Sequence, residues 1–515
     1  MPRDFPIETL PGHSIPHSYH LMLDQKHHEV TLLQHHVNYC QIILSKVRVI
    51  PAELWLEIFR HCLPPVRFPD AKLAPLLLCQ ICSFWRRIAL QASCLWDSMT
   101  LQSGSNNSRE RSGSSPTMAV ASWANRAIKL LSKRKSSSSL EPISNLITIW
   151  AQRSKTRLLS CTVQAGHEEF PVGPEPTIMR AVLSQSDSFR DLRLDSLFKA
   201  ELSLLLSYSL AGRHFQNLET LTLLMPDFSE WAGSELITAW ADAPCLRKVK
   251  LFINPVNFHR LLLPWPQLTH LNLLQCPLTS SFLNDILRRC IHLHEGAFTT
   301  SEGSLEHPFD HSNPVSLIHL RALHLESSGD YTSCLNGLTL PSLTNLFLGR
   351  FYTYPGVYFW KDSHFISPHL KNLSHLTLSD ISLPCDAFLD LLRSTLEMET
   401  LVIDMGYQED ELALLFTVLT SFHGSTTFLL PKLQSLTVCV NDPSFPARPF
   451  VGMIKSRWLI NPTSVITRIQ SVTLLFLYYT DMIFDLSILL HTYIEEGLAF
   501  SAHEWHAKSF FQRDS

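Results

Sequence analysis

Glycine is scarce, 17 in 515 residues, and that scarcity removes most of the material from which phosphate-cradling loops are built. No Gly-x-Ser-x-Gly, Gly-x-x-x-x-Gly-Lys-Ser/Thr or Gly-x-Gly-x-x-Gly occurs, so nucleotide chemistry and a hydrolase elbow are both unsupported. Excess charge is lacking too. With 42 basic and 46 acidic residues the net charge is −4, which creates no broad field to draw in nucleic acid or an anionic membrane. Long uncharged apolar runs are missing: Val472 to Leu490 is interrupted by Asp481 and Asp485, and so fails the roughly 18-residue test for a spanning helix. Met1-Pro2-Arg3-Asp4-Phe5 carries no basic region followed by an apolar run, so no secretory signal is expected. The 12 cysteines are then expected to stay reduced, as small core residues of a cytoplasmic or nuclear protein, with no disulfide framework. Cys79-Gln80-Ile81-Cys82 has no second pair to complete a zinc site. His27, His28, His35 and His36 have no supporting cysteine or carboxylate motif, and His503, Glu504 and His506 do not form His-Glu-x-x-His. Neither a metal, a cofactor nor a catalytic residue is expected.

What is present begins at Ile50. Pro51 suits a first helical position, because its ring presets φ and its missing N–H would have found no partner there. The spacing predicts a helix from Pro51 with Leu54, Trp55, Ile58, Phe59 and Cys62 on one apolar face, ended by Leu63-Pro64-Pro65. After a loop carrying Pro69 and Asp70, the apolar run Leu73 to Ile81 and the segment from Ser83 to Leu90 predict two more short helices. Three helices in about 50 residues bury too little surface to be comfortable alone, so the unit needs a partner or a neighbour.

Ile50-Pro51-x-Glu53-Leu54-x-x-x-Ile58-Phe59, Leu63-Pro64, Ile81-Cys82-x-x-Trp85-Arg86 and Leu95-Trp96 together resemble an F-box. The likeness is nearest to the fungal F-box-like form, with Ala74 to Leu78 as its Ala-Pro-Leu-Leu-Leu stretch. It covers about a tenth of the chain and departs at Ile50, where most members carry Leu. The resemblance implies a module that docks to the Skp-type adaptor of a cullin-RING ubiquitin ligase, with Ile50, Pro51, Leu54, Ile58, Phe59 and Leu63 on the docking surface. Trp85 and Trp96 are assigned to its core.

Around this segment, residues 1–24 read as a leader without period, and Glu29 to Val47 as an imperfect helix that packs against the three helices after it. Gln102 to Ser139 reads as a Ser-rich surface insertion with a short helix between Met118 and Leu131 and a solvated basic cluster, Lys133-Arg134-Lys135. Beyond Trp150 one template recurs, Leu-x-x-Leu-x-Leu. Clear matches are Leu218/Leu221/Leu223, Leu246/Val249/Leu251, Leu268/Leu271/Leu273, Leu320/Leu323/Leu325, Leu343/Leu346/Leu348, Leu373/Leu376/Leu378 and Leu433/Leu436/Val438. Weaker ones, Leu158/Cys161/Val163, Phe189/Leu192/Leu194, Leu293/Gly296/Phe298, Met398/Leu401/Ile403 and Ile469/Val472/Leu474, fall in the gaps. The middle positions advance by roughly 20–30 residues until the last two steps, the period of a leucine-rich repeat. Each match predicts a short strand with its last two leucines facing inward. Phe282 to Leu287 and Phe388 to Leu392 have the spacing of helices packed outside the strands. Pro226, Pro264, Pro266, Pro277, Pro341, Pro384 and Pro431 are expected outside the strands, where a missing N–H does no harm.

This part resembles the leucine-rich repeats of F-box proteins, although most of the matches lack the Asn that many repeats carry after the strand. The expected fold class is therefore α/β: a small all-α three-helix F-box module followed by a leucine-rich-repeat solenoid with a parallel inner sheet. The expected divisions are a leader and short helix over 1–49, the module over 50–101, an insertion over 102–149, the solenoid over 150–500 and a tail over 501–515. Thr222, Asn272, His324 and Thr377 each lie between two inward leucines, so they are expected on the exposed strand face, where such arrays bind substrate. The implied function is that of a substrate-recognition subunit of an SCF-type ubiquitin ligase, not an enzyme in itself. Its implied partners are the adaptor, a cullin through it, and a protein substrate, with no nucleic acid or membrane. A scaffold of the same build working outside any ligase is the alternative.

Overall fold

The computed structural model describes residues 17–44, 50–102, 141–155, 157–164, 176–195, 215–225, 236–301, 314–328, 335, 338–350, 370–381, 385–404, 409–420, 429–440, 445–460, 466–477 and 482–504. Side chains alternate across a strand, so leucines two apart share one face and the residue between them takes the other. Among the described residues, segments of this kind pair in chain order into one parallel 14-stranded sheet. Its strands are β1 (Ser98–Gln102), β2 (Leu159–Gln164), β3 (Phe189–Asp195), β4 (Thr220–Met225), β5 (Lys248–Ile253), β6 (His270–Leu278) and β7 (Glu295–Thr300), then β8 (Ala322–Ser327), β9 (Asn345–Arg350), β10 (His375–Ser379), β11 (Thr400–Asp404), β12 (Ser435–Val440), β13 (Ser471–Phe476) and β14 (Ala499–Glu504). With its flanking helices the sheet is compatible with an α/β solenoid.

The register follows the leucine phase. Cys161, Leu192, Leu221, Val249, Leu271, Gly296, Leu323, Leu346, Leu376, Leu401, Leu436 and Val472 are successive partners down the ladder, and all of them are buried. Two further rungs escape the template, Met99 before Cys161 and Phe500 after Val472. The sheet thus takes in the end of the stretch 50–101 and the start of the expected tail, where His503 and Glu504 belong to β14. His506 lies outside the described residues. Pro264, Pro266, Pro341 and Pro431 stand outside the strands. Pro277 is a correction: it lies within β6, after a shift of register between Leu273 and Pro277, near Gln275 with φ 69°. A bulge leaves a position without a ladder bond, and there proline's missing N–H is tolerated. Pro226 and Pro384 lie outside the described residues.

Helices precede and flank the sheet. α1 (His17–Leu44) starts inside the expected leader, and its described side chains, residues 21–38, are all exposed, so over that stretch it does not pack against the helices after it. α2 (Ala52–His61) has Pro51 as its N-cap rather than its first residue, the Pro51 carbonyl accepting from the Trp55 N–H at 3.2 Å. α3 (Leu78–Ile81) and α4 (Ser83–Gln91) come next, and the Cys82 thiol at the N-cap of α4 accepts from the Trp85 N–H. α5 (Glu141–Ser154) begins inside the expected insertion and buries Leu146, Ile147 and Trp150. The Met118 to Leu131 island and Lys133-Arg134-Lys135 lie outside the described residues. α6 (Pro176–Ser184), α7 (Ser280–Arg289), α8 (Cys385–Arg393), α9 (Glu409–Leu419), α10 (Ala447–Trp458), α11 (Met482–Leu489) and α12 (His491–Glu495) alternate with the strands. α7 starts under a Thr279 cap and buries Leu283, Ile286 and Leu287, the face its three-and-four spacing predicts.

The opening helices are joined to the ladder. Trp96 packs edge-on against Trp150 at 4.8 Å, its indole donating to the Ala89 carbonyl at 2.7 Å. Arg67 pairs with Asp97 at 2.5 Å, and the Arg67 carbonyl accepts from the Thr100 N–H of β1 at 2.9 Å. One continuous apolar core runs from Trp55 to Leu498. The neighbour that the three helices require is the sheet itself. No helix among the described residues is long and apolar enough to cross a membrane.

Candidate protein-interaction surfaces

The first surface is the outer side of α2. Trp55 and Phe59, one turn apart, are buried, and their rings close around Trp85 with centroids 4.7 and 5.0 Å from it. Leu54 and Ile58, also one turn apart, remain 57% and 43% exposed. The face expected to carry all of these residues together is therefore divided. A helix turns by about 100° per residue, so the 54/58 and 55/59 pairs form adjacent stripes, and only one of them meets α4. Phe59 is the clear correction among the expected docking residues, since it is fully buried. Ile50 and Leu63 are half-buried against the same core, whereas Pro51, Leu54 and Ile58 face outward. Trp96 is in the core as expected, and Trp85 is half-buried beside it. Leu77 and Ile81, read in sequence as part of an almost wholly apolar run, are exposed as well, at 41% and 53%. The Cys-x-x-Cys pair is divided likewise, Cys79 buried and Cys82 exposed.

The second surface is the sheet face opposite the buried leucines. Thr222, Asn272, His324 and Thr377 are all part-exposed there. An open trough of about 570 Å³ crosses this face from β4 to β10 and brings Asn272, His324 and Thr377 together. Thr222 does not line it; Thr220, two residues earlier on the same strand, does. The trough adds Lys250 and Phe347, which hold the same between-leucine position as Asn272, and Lys248, His270, Glu295 and His375, which stand just before the middle residue of their strands. Their signal in sequence is positional, since each flanks a buried middle residue of its strand. Which strands combine into one depression depends on side-chain sizes across seven neighbouring strands.

Several of these groups hold one another in place. His324 stacks on Phe347 with ring centroids 3.8 Å apart, and its Nε2 lies 3.2 Å from Glu326 Oε1. The Phe347 ring rests where Gly349 has no side chain, since a Cβ at that glycine would lie 2.6 Å from the ring. His270 Nδ1 lies 2.8 Å from the Thr269 hydroxyl and its Nε2 3.6 Å from Glu295. Burial holds the His270 pKa below the usual imidazole value against the opposing pull of Glu295, with Lys248 and His294 lowering it further. Among the described residues no group of three or more His, Cys, Asp or Glu is placed to hold a metal ion. No protein-family model matches the chain, and no curated protein is significantly similar to it.

Proposed function

We propose that the protein is the substrate-recognition subunit of an SCF-type cullin-RING ubiquitin ligase, acting in the cytoplasm or nucleus. In this reading the F-box-like helices dock to the Skp-type adaptor, and through it to a cullin, while the trough side of the leucine-rich repeats holds the protein substrate. The observation that carries the proposal is the division of α2. Its Trp55/Phe59 side is locked into the core, which leaves Leu54 and Ile58 exposed at 57% and 43% with no structural task of their own, in the segment whose residues resemble an F-box. Such a subunit contributes placement: it raises the effective concentration of substrate lysines near a charged ubiquitin-conjugating enzyme and needs no catalytic residue.

The test is capture of purified Skp-type adaptor by the full chain. Leu54→Lys with Ile58→Lys would bury two unpaired ammonium groups in an apolar interface, at several kcal/mol, enough to abolish a micromolar complex. Both side chains are exposed in the free chain, so its melting temperature and circular dichroism should not change. Retention of the adaptor by the double variant, or failure of the wild-type chain to capture it, would sink the proposal.

A further inference from the structure

The trough has one charged end and one hollow over small side chains, and the two lie a defined distance apart. At the charged end, Lys248 and Lys250 flank the buried Val249 on β5, so both ammonium groups stand on the open face. Neither is in an ion pair among the described residues. Their neighbours in register are Thr220 and Thr222 on one side and His270 and Asn272 on the other. One strand further out, Arg193 is already paired with Asp195 at 2.8 Å. The hollow lies over two small face residues set diagonally, Ala297 on β7 in register with His324 and Ala322 on β8 in register with Glu295, between the longer side chains of β6 and β9. Its far wall is the His324 ring, which stands in register between Ala297 and Phe347 and is backed by the Phe347 ring, itself seated in the space at Gly349. Glu295, beside the hollow and 3.6 Å from His270, repels an acid there, which leaves the lysine end as the place for one.

β5 and β7 are two strands apart, about 10 Å at the usual strand separation, which is roughly three residues of extended chain. We propose that the trough takes an extended peptide segment of the substrate running across the strands, with a carboxylate or phosphate over Lys248 and Lys250 and, about three residues away, an aromatic or large apolar side chain over Ala297 and Ala322 against the His324 and Phe347 rings. The proposal rests on the reading of this face as the substrate face. The two lysines supply the charge-assisted contacts, and the small alanine side chains leave room for an aromatic anchor to pack beside the rings. A trough of about 570 Å³ lies within the ordinary range for a buried ligand or peptide anchor.

Fluorescence anisotropy on the full-length chain tests this with labelled peptides that carry two glutamates, two phosphoserines or two lysines three residues before a tryptophan, and with a single-stranded oligonucleotide. The acidic peptides should bind and the lysine peptide should not; the glutamate and phosphoserine arms tell carboxylate from phosphate. Lys248→Glu with Lys250→Glu should weaken the acidic peptides roughly tenfold or more and admit the lysine peptide. Ala297→Trp, which fills the hollow, should weaken them by about tenfold as well, with Ala322→Leu as a milder variant should the first not fold. Equal affinity in the charge-reversed chain, no binding of either acidic peptide, or tighter binding of the oligonucleotide overturns the proposal. Adaptor capture is measured on the same preparations. Capture without peptide binding removes the trough proposal alone, and peptide binding without capture removes the ligase reading alone.

Discussion

Arg457 on α10 is 2% exposed, and no carboxylate lies within ion-pair distance of it among the described residues. Its guanidinium donates instead to three backbone carbonyls, from Nε to Leu419 at 2.8 Å, from Nη1 to Leu430 at 2.9 Å and from Nη2 to Leu429 at 2.5 Å. Leu419 ends α9, whose last carbonyls have no partner within their own helix, and Leu430 sits in a turn with φ 48°. One planar fork thereby closes two loose backbone ends that water cannot reach. Burial draws the arginine pKa down to about 10, still high enough to keep it charged at neutral pH. Arg457→Met should cost about 3 kcal/mol, because two buried acceptors and one part-buried acceptor lose their donors together. Arg457→Lys should recover only part of that loss, since one ammonium does not span three carbonyls. Urea unfolding followed by tryptophan fluorescence measures both, and a cost below about 1 kcal/mol for the Met variant would show that water reaches these carbonyls. Nothing in the sequence marks this residue, as a lone arginine near the end of a helix reads as a solvated one.

β7 shows how an element keeps its place when its pattern weakens. Gly296 occupies the inward rung that leucine fills on β6 and β8, yet the core has no void to show for it. The Phe298 ring folds back over the glycine, and a Cβ at position 296 would meet that ring at 2.5 Å and the Leu293 side chain at 3.3 Å. One large ring fills the space of two leucines. Gly296→Leu, which restores the repeat template on paper, should therefore destabilise by roughly 1–3 kcal/mol through overpacking. Adding Phe298→Leu should return most of that loss, a coupling expected of residues that share one volume. Additive effects in this pair of variants would show that the ring does not substitute for the missing side chain. The division of α2 is the same lesson on a helix. Phe59→Ala should lower the melting temperature while leaving the Leu54/Ile58 stripe chemically intact, whereas the lysine variants of that stripe should leave melting unchanged.

Across the whole molecule, buried thiols run from the opening helices to β12, Cys79, Cys161, Cys276 and Cys290 in the main core and Cys439 in a small separate cluster with Leu475. Burial raises the pKa of Cys79 and Cys276 to about 11 and of Cys161 and Cys290 to about 12, and it raises that of Cys439 further, with help from Asp404. Below about pH 9, where an unfolded thiol titrates, these groups are protonated in both states and stability is unaffected. As pH rises above about 9 the unfolded chain releases protons that the folded chain keeps, so folding is opposed by about 1.4 kcal/mol per pH unit for each thiol until its folded pKa is reached. The urea midpoint should fall between about pH 8 and pH 10, and Cys161→Ala with Cys290→Ala should make the fall shallower. An identical pH slope in wild type and variant would refute this account. Stability in a stacked array is shared between neighbours, so alkylation should follow the same map. Cys62, Cys82 and Cys245 are exposed and should react in the folded chain, whereas Cys161 on β2 and Cys290 at the end of α7 should wait for local opening.

The strand register was legible from the sequence alone. Side chains on a strand repeat every two residues, so a slip of one residue would turn every leucine outward, and only one phase buries them all. That is why twelve middle positions, weak ones such as Cys161 and Gly296 included, stand as consecutive rungs. The polar phase of the opposite face came with it, and so Asn272, His324 and Thr377 could be placed before any contact was known. The helices over 50–101 were readable for a similar reason, through period and proline. Tertiary packing decided what remained. Leu54, Trp55, Ile58 and Phe59 are all apolar within two turns, and only the position of Trp85 selects which pair is enclosed and which stays exposed. Met99 and Phe500 join the ladder because a neighbouring strand offers them its edge, which no local template records. Which face residues combine into the trough is set by side-chain sizes on neighbouring strands from β4 to β10, which no single repeat records.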